Sequence, residues 1–323
     1  MPSTPPLDLD AVHHSLADWF GVRGRDLPWR RPECTPWGVM VSEFMLQQTP
    51  VVRVLPVWEE WMNRWPRPTD LAAEPAGEAV RAWGRLGYPR RALRLAEAAR
   101  QIAEDHDGQV PSTYAELLAL PGVGSYTAAA ISCFAFGIPE TVVDTNIRRV
   151  HARLISGRAL PEPSHTAAEA RLAADLMPRV DQDNGQLACI WNAAVMELGA
   201  LVCTARSPQC ADCPVSASCA WVAAGRPAPH YVPKGQPWEG TDRQVRGAMM
   251  AVLRLSDEPV AAGTLLGAED TDAATNEATV GLVTALQRLR DLPAGPKQRQ
   301  RCLDGLMADG LAVDSGRGIV LPH

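Results

Sequence analysis

The sequence Leu120-Pro121-Gly122-Val123-Gly124 joins two helical runs through a tight turn, and this turn decides the predicted fold. Apolar residues recur at helical spacing before it, over 114–119, and after it, over 125–136. The two glycines let the backbone approach a partner closely, and the first amides of the following helix can bind a phosphate oxygen. The stretch therefore predicts a helix-hairpin-helix motif that binds the DNA backbone; an ordinary turn between two helices is the alternative.

Outward from this turn, the chain continues to show helical patterns. Residues 10–220 carry apolar side chains three and four positions apart, which predicts an all-α protein. The 323 residues are 46% hydrophobic and 21% charged, a composition typical of a folded globular protein. The longest uncharged run, 117–139, is interrupted by proline and glycine and is predicted to be buried core rather than a membrane span. No basic, apolar leader opens the chain, so a cytoplasmic, nucleoid-associated location is expected.

The last hundred residues are predicted to form a linker and a separate module. Residues 224–242 hold four prolines and three glycines, a linker composition. Residues 243–323 show a helix over 244–255, a second helix around 299–307 and then a short hairpin. Helices followed by a hairpin predict a small winged-helix-like module.

Four of the eight cysteines lie in one loop, with six, two and five residues between Cys203, Cys210, Cys213 and Cys219. Clustered cysteines in a chain without a secretion signal are more often metal ligands than disulfides. Four thiolates at this spacing can enclose an iron–sulfur cluster. A four-cysteine zinc site is the alternative, but zinc ribbons usually have two Cys-x-x-Cys pairs and this loop has one.

Two carboxylates lie in contrasting sequence surroundings. Glu43 interrupts the apolar helical run 39–46, where burial would raise its pKa and suit it to general acid work; a solvated glutamate is the alternative. Asp144 precedes an amphipathic helix, where an N-cap is expected and the helix dipole favours the ionised form. An acid and an anion together are typical of a hydrolase that cleaves a glycosidic bond.

Charge is distributed unevenly along the chain. The net charge of −6 does not by itself indicate a nucleic-acid binder, but residues 81–100 hold six arginines and one acid, and residues 148–158 hold four arginines and no acid. These patches are expected either to contact phosphates or to form solvated helix faces. No lysine precedes Lys234.

In this order, the motifs resemble those of the helix-hairpin-helix DNA glycosylase superfamily with an iron–sulfur loop, and within it the adenine DNA glycosylase (MutY) family. The stretches Asp26–Arg30, Ser42–Thr49 and Leu86–Tyr88 carry the closer resemblance, which covers roughly residues 15–222. It implies a six-helix domain over 31–139 and a second domain, built from 1–30 and 140–223, that holds a 4Fe–4S cluster. The expected form is a monomer that binds double-stranded DNA containing A:8-oxoguanine or A:G mispairs, without contact to a membrane.

The resemblance also implies residue roles. In the implied mechanism, adenine is flipped out of the duplex and Glu43 protonates the base. Asp144 stabilises the oxocarbenium ion, and Tyr126 and Asn146 position that ion and the attacking water. Further contacts are implied for residues around the flipped adenine, the space it leaves, the opposing base and the DNA backbone: Trp29, Arg30, Leu46, Gln48, Thr49, Leu86, Tyr88, Gly122, Val123 and Gly124.

Departures from the family pattern sharpen the prediction. Endonuclease III-like relatives carry a Schiff-base lysine at the position of Tyr126, so this chain is expected to be monofunctional. Thr145 and Ala193 replace residues that many family members have, and 243–323 lack the Phe-Ser-His motif of a Nudix-like domain. A weaker preference for 8-oxoguanine over guanine is therefore expected. Two alternatives stay open: a G:T mismatch thymine glycosylase and a non-catalytic iron–sulfur DNA-binding regulator.

Overall fold

The computed structural model describes residues 7–180, 185–233, 235, 237–267 and 277–323, and over these ranges the protein is mainly helical, as predicted. The helices are α1 Leu9–Arg23, α2 Pro36–Leu46, α3 Val51–Arg64, α4 Pro68–Ala72, α5 Ala76–Ala82, α6 Arg90–Asp105, α7 Tyr114–Ala119, α8 Ser125–Phe136, α9 Thr145–Leu154, α10 Ala167–Asp175, α11 Gln186–Leu201, α12 Ala220–Ala223, α13 Asp242–Leu255, α14 Ala262–Leu266, α15 Glu277–Arg290 and α16 Pro296–Ala308. Two strands follow, β1 Val313–Asp314 and β2 Ile319–Val320. Residues 234 and 236 of the predicted linker lie outside the described residues.

The chain divides into two compact units. The first comprises residues 1–40, 111–119 and 123–234, and the second 41–110, 120–122 and 235–323. The core of the first unit contains residues from α1, α8, α9 and α11, including Leu16, Val150, Trp191 and Leu198. Helix α1 turns one apolar stripe toward that core, whereas α8, whose sequence is almost wholly uncharged and apolar, is buried on every side over 127–133.

The second unit contains a cluster of tryptophans. The Trp61 ring meets the rings of Trp65 and Trp83 edge to face, with centroid separations of 4.9 and 5.7 Å. Helix α6 packs against α4 and α5 through buried positions such as Leu95 and Ile102, while its arginines stay outside. Edge-to-face aromatic packing adds to the free energy of burying these large rings.

The helices and the hairpin predicted for residues 243–323 occur in the structure. Strands β1 and β2 pair antiparallel, with Val313 opposite Val320, and Val260 exchanges two backbone hydrogen bonds with Ile319 at 2.8 and 3.0 Å. The predicted helices occur as α13 and α16. Helix α15 was not predicted, because the sequence leading into it shows no clear apolar period. Among the described helices, none is long and apolar enough to cross a membrane.

Candidate active site and cysteine loop

The predicted hairpin has the backbone geometry that its glycines suggest. Gly122 has a φ of +78°, and a Cβ there would lie 2.6 Å from the Arg94 Cβ and 3.1 Å from the Phe44 ring. Only glycine fits such a position without a shift of its neighbours. Gly124 is exposed, with nothing within 4 Å of a Cβ placed on it, and it caps α8, while Val123 is buried. The turn thus presents an open backbone at a helix N-terminus, as a phosphate site requires.

Asp144 is the predicted N-cap of α9. One carboxylate oxygen accepts the Ile147 backbone N–H at 2.7 Å, and the other accepts the Asn146 Nδ2 amide at 2.9 Å. Burial raises the pKa of Asp144 above its usual value, while these hydrogen bonds and the charge of Arg149 oppose the rise. The position at a helix N-terminus alone predicts an ionised carboxylate, whereas burial opposes its ionisation.

A chain of hydrogen bonds leads from Asp144 to the cysteine loop. The Arg149 Nη2 donates to the Asn146 Oδ1 at 2.8 Å and to the Gly199 carbonyl at 2.7 Å, and its Nε donates to the Cys203 carbonyl at 2.8 Å. Asn146 therefore bonds Asp144 with one end of its amide and Arg149 with the other. Because both ends are engaged, its side-chain orientation is fixed, and so is the carboxylate it holds.

The four cysteines of the loop line one cavity, together with Arg153 and Trp221. The Arg153 Nη1 donates to the Cys203 sulfur at 3.3 Å, and its guanidinium lies 4.7 Å from the centre of the Trp221 ring. Burial raises the pKa of Cys213 to about 11 and also raises the pKa of Cys219. Thiolates in such a cavity need positive charge nearby, which bound iron supplies.

The lining of this cavity bears on the kind of metal group that it fits. All four thiols of the loop belong to the lining of this one cavity, and four cysteine thiolates are the usual ligand set of a 4Fe–4S cluster. The donor set of Cys203, Cys210, Cys213 and Cys219 therefore fits a 4Fe–4S cluster.

Glu43 lies in the second unit, within α2. It is only 5% exposed and lies between the fully buried residues Ser42 and Phe44. This burial rules out the alternative of a solvated glutamate on the helix exterior. Tyr126, at the start of α8 in the first unit, is partly buried against the core of that unit.

Two turns in the second unit hold residues in strained backbone conformations. Gln48 and Tyr88 have φ values of +58° and +47°, two of the four described non-glycine residues with positive φ. Both side chains are exposed. Such strain is uncommon and concentrates at functional sites. The turns that carry these residues are here named the Gln48 turn (47–49) and the Tyr88 turn (85–88).

The two turns are tied together by side chains. The buried Thr49 hydroxyl donates to the Leu86 carbonyl at 3.3 Å. The guanidinium of Arg91 donates to the Gln47 carbonyl and lies 4.6 Å from the centre of the Tyr88 ring. Leu86 itself is buried, and Leu46 is half-buried. The structure thus brings Leu46, Gln48, Thr49, Leu86 and Tyr88 to one region of the second unit.

Trp29 and Arg30 lie in a short 3-10 turn of the first unit. Trp29 is buried, and Arg30 donates to the carboxylate of Glu197 at 2.9 Å. Arg25 makes two further side-chain hydrogen bonds to that carboxylate, both 2.7 Å long. Glu197 is completely buried; burial opposes its ionisation, but the two arginines hold its pKa at about 2.

Sequence reasoning missed the roles of Arg149, Arg153, Glu197 and Arg91. The arginine run 148–158 was expected to contact phosphates or to form a solvated face. That interpretation is wrong for Arg149 and Arg153, which are buried and turned toward the cysteine loop. No local signal marked them, because the apolar positions Ile147, Val150 and Leu154 lie on a different face of α9 from Arg149 and Arg153.

Comparisons with known proteins show which families this chain is similar to. Residues 41–174 match the model of the HhH-GPD superfamily of base excision DNA repair proteins, and residues 203–219 match the iron–sulfur binding domain of endonuclease III. An adenine DNA glycosylase of Mycolicibacterium smegmatis is 45% identical over 94% of this chain and 93% of its own length. The Homo sapiens adenine DNA glycosylase is 41% identical over 66% of this chain and 39% of its own. A solved thermostable thymine-DNA glycosylase, 28% identical, has a TM-score of 0.59 and covers 67% of this chain and 97% of its own.

Proposed function

The chain belongs to the adenine DNA glycosylase family, and on that premise we propose that it hydrolyses the N-glycosidic bond of adenine mispaired with 8-oxoguanine or guanine. One observation carries the proposal: the two predicted carboxylates lie in different environments. Glu43 is almost fully buried among apolar residues of α2, and Asp144 is held by hydrogen bonds from Ile147 and Asn146 that oppose the effect of its own burial. Two carboxylates in contrasting surroundings are what acid-assisted glycoside cleavage needs.

In the proposed reaction Glu43 is the general acid. It gives its proton to a ring nitrogen of the flipped adenine, so that the C–N bond breaks with the electron pair on a neutral leaving base. The carboxylate that remains on Glu43 then accepts a proton from the attacking water. The proton balance closes, since water supplies a hydroxyl to the sugar and a proton to the glutamate.

Asp144 stabilises the positive charge that develops on the sugar. Its two oxygens are already fixed by Ile147 and Asn146, so little reorganisation is needed as the charge forms. Tyr126 and Asn146 help to position the cation and the water. Because only the ionised aspartate can act in this way, and burial raises its pKa, the rate falls on acidification at a higher pH than an ordinary aspartate would dictate.

The residues that contact the duplex follow from the same premise. Gln48 and Tyr88 fill the space that the flipped adenine leaves, because their strained turns present both side chains outward. Leu46, Thr49 and Leu86 lie beside the opposing base. Trp29 and Arg30 border the adenine, and residues 122–124 hold a backbone phosphate. The enzyme acts as a monomer on chromosomal DNA in the cytoplasm.

The reaction is proposed to be monofunctional. Position 126 is tyrosine and no lysine precedes Lys234, so no lysine of the first 233 residues can attack the sugar. Borohydride added during turnover should trap little covalent enzyme–DNA adduct. Efficient trapping would show a Schiff base and overturn this part of the proposal.

One assay separates the candidate functions. Single-turnover base release is measured on duplexes with A:8-oxoguanine, A:G, G:T and thymine glycol. The proposal expects release from the first two, with a modest preference for 8-oxoguanine. Release of thymine from G:T would favour the thymine glycosylase alternative, and binding without any release would favour a regulator.

A further inference from the structure

Within the second unit, the C-terminal module (243–323) packs against α5 through α13 and through the end of the chain at Pro322. The Gly77 backbone N–H donates to the Pro322 carbonyl at 2.7 Å, and a Cβ on Gly77 would lie 2.5 Å from that oxygen. The Arg254 Nε donates to the Val80 carbonyl at 2.9 Å. Burial lowers the pKa of Arg254 to about 10. This contact is therefore a close-packed interface, in which a partly buried guanidinium donates to a helix carbonyl.

Two more arginines extend the interface along α5 and to the start of α6. The Arg81 guanidinium donates to the carbonyls of Arg254 and Ser256. Arg90, the first residue of α6, pairs with Asp309 at 3.1 Å, and Asp309 is also held by Arg246. The module therefore contacts the last helix before the Tyr88 turn and the first helix after it.

The Tyr88 turn between those helices is short and conformationally demanding. Gly87 and Tyr88 have positive φ, and so does Gly84, which immediately precedes the turn. The Trp83 indole N–H donates to the Gly87 carbonyl at 2.8 Å, which fixes the turn from the inside. A strained turn of this kind persists only where the surrounding structure holds it in place, and the helices at its two ends are part of that structure.

We propose that the C-terminal module is a brace for the Tyr88 turn: by holding α5 and the start of α6, it sets the affinity of the enzyme for a mispaired duplex. The inference rests on the proposed role of Tyr88 in filling the space of the flipped base. The module need not touch DNA to do this. Its own charge supports an indirect role, since residues 243–323 hold nine basic and ten acidic residues.

The test compares two arginine variants of the module in the full-length protein. Arg254→Met removes the donor to Val80, whereas Arg301→Met removes an exposed arginine that pairs with Asp242 inside the module. Hydrogen exchange of the amides at 83–90 is measured without DNA. Affinity for a duplex with an uncleavable adenine analogue and the single-turnover rate at saturating enzyme are measured separately.

The brace predicts that Arg254→Met speeds exchange at 83–90, weakens mispair binding about tenfold and leaves the saturated single-turnover rate within about twofold. Arg254→Lys, which keeps a donor, should restore part of the protection. A second variant, Gly77→Ala, keeps the test decisive if Arg254→Met folds poorly. It displaces Pro322 from the α5 side of the same interface and should give the same pattern as Arg254→Met. Arg301→Met should match wild type in all three measurements.

Unchanged exchange at 83–90 in both Arg254→Met and Gly77→Ala would overturn the brace. A saturated rate that falls as far as the affinity would also overturn it, since the module would then act on chemistry. The exchange measurement needs no activity, so a failure of the proposed adenine function would be seen apart from a failure of the brace.

Discussion

The surroundings of Asp144 and the Tyr88 turn are held in place by different means. Asp144 is fixed by a buried chain of hydrogen bonds through Asn146 and Arg149 to the Cys203 carbonyl. Tyr88 sits in a strained turn, half exposed, restrained by Arg91 and by packing at its two ends. The first arrangement suits a charge that must not move during chemistry. The second suits a side chain that must enter a duplex.

The difference shows where each region is vulnerable. Removing one donor from a buried chain of hydrogen bonds lowers stability strongly, because acceptors are left unpaired in an interior without water. Removing one contact of an exposed, strained turn lowers stability less, because water can replace the lost contact. Substitutions in the two regions should therefore differ in size and in kind.

The largest effect is expected for Arg149→Met. It leaves Asn146, Gly199 and Cys203 without their donor, at about 1–3 kcal/mol for each unpaired acceptor. We expect lower stability, loss of visible absorbance from the cluster and a fall of about 100-fold in single-turnover rate as Asp144 loses its support. Denaturant unfolding, absorbance and base release measure the three.

The neighbouring Arg148→Met is the matched control. Arg148 pairs with Glu169 at 2.7 Å, and its side chain makes no described bond to Asp144 or Cys203. It should lose stability but keep the cluster and the rate of the folded enzyme. Equal loss of rate in both variants would contradict a specific link between Arg149 and Asp144.

An intermediate effect is expected from acid on Glu197. Its pKa is about 2 in the folded protein against an ordinary 4.5, so its ionised form contributes roughly 3 kcal/mol to the free energy of unfolding above pH 4.5. That contribution is lost as the pH falls from 4.5 toward 2. The free energies of unfolding of wild type and Glu197→Gln, measured at successively lower pH, should converge. A constant difference between the two over this range would contradict the assigned pKa.

The smallest effect is expected for Arg91→Met. The variant loses one hydrogen bond to the Gln47 carbonyl and the cation–π contact to Tyr88, together about 1–2 kcal/mol. Affinity for a mispaired duplex should fall about tenfold, while cluster absorbance is unchanged and the free energy of unfolding falls by no more than this amount. Fluorescence anisotropy with a labelled duplex measures the affinity. Loss of cluster absorbance in this variant would contradict the claim that the Tyr88 turn and the surroundings of Asp144 are held by different means.

Much of the fold and part of the site could be predicted from sequence, because periodicity and turn chemistry are local. The glycines of 120–124, the Asp144 cap and the order of helices and hairpin in 243–323 all follow from short-range rules. A resemblance to a known family supplied the expected roles.

The remaining features depend on long-range partners. Nothing local shows that Arg149 bonds residues fifty positions away, or that Glu197 lies between Arg25 and Arg30. Charge runs suggested surface positions for α9, whereas tertiary packing buried two of its arginines. The pKa of Asp144 likewise depends on burial, which its neighbours in sequence do not reveal.

The most direct test of the central claim is base release by Glu43→Gln on a duplex with adenine opposite 8-oxoguanine. Glutamine keeps the size of the side chain but cannot give a proton to the base. We expect wild type to release adenine in a single turnover, and Glu43→Gln to bind the same duplex with similar affinity and release none. Adenine release by the variant at a rate close to wild type would contradict the account.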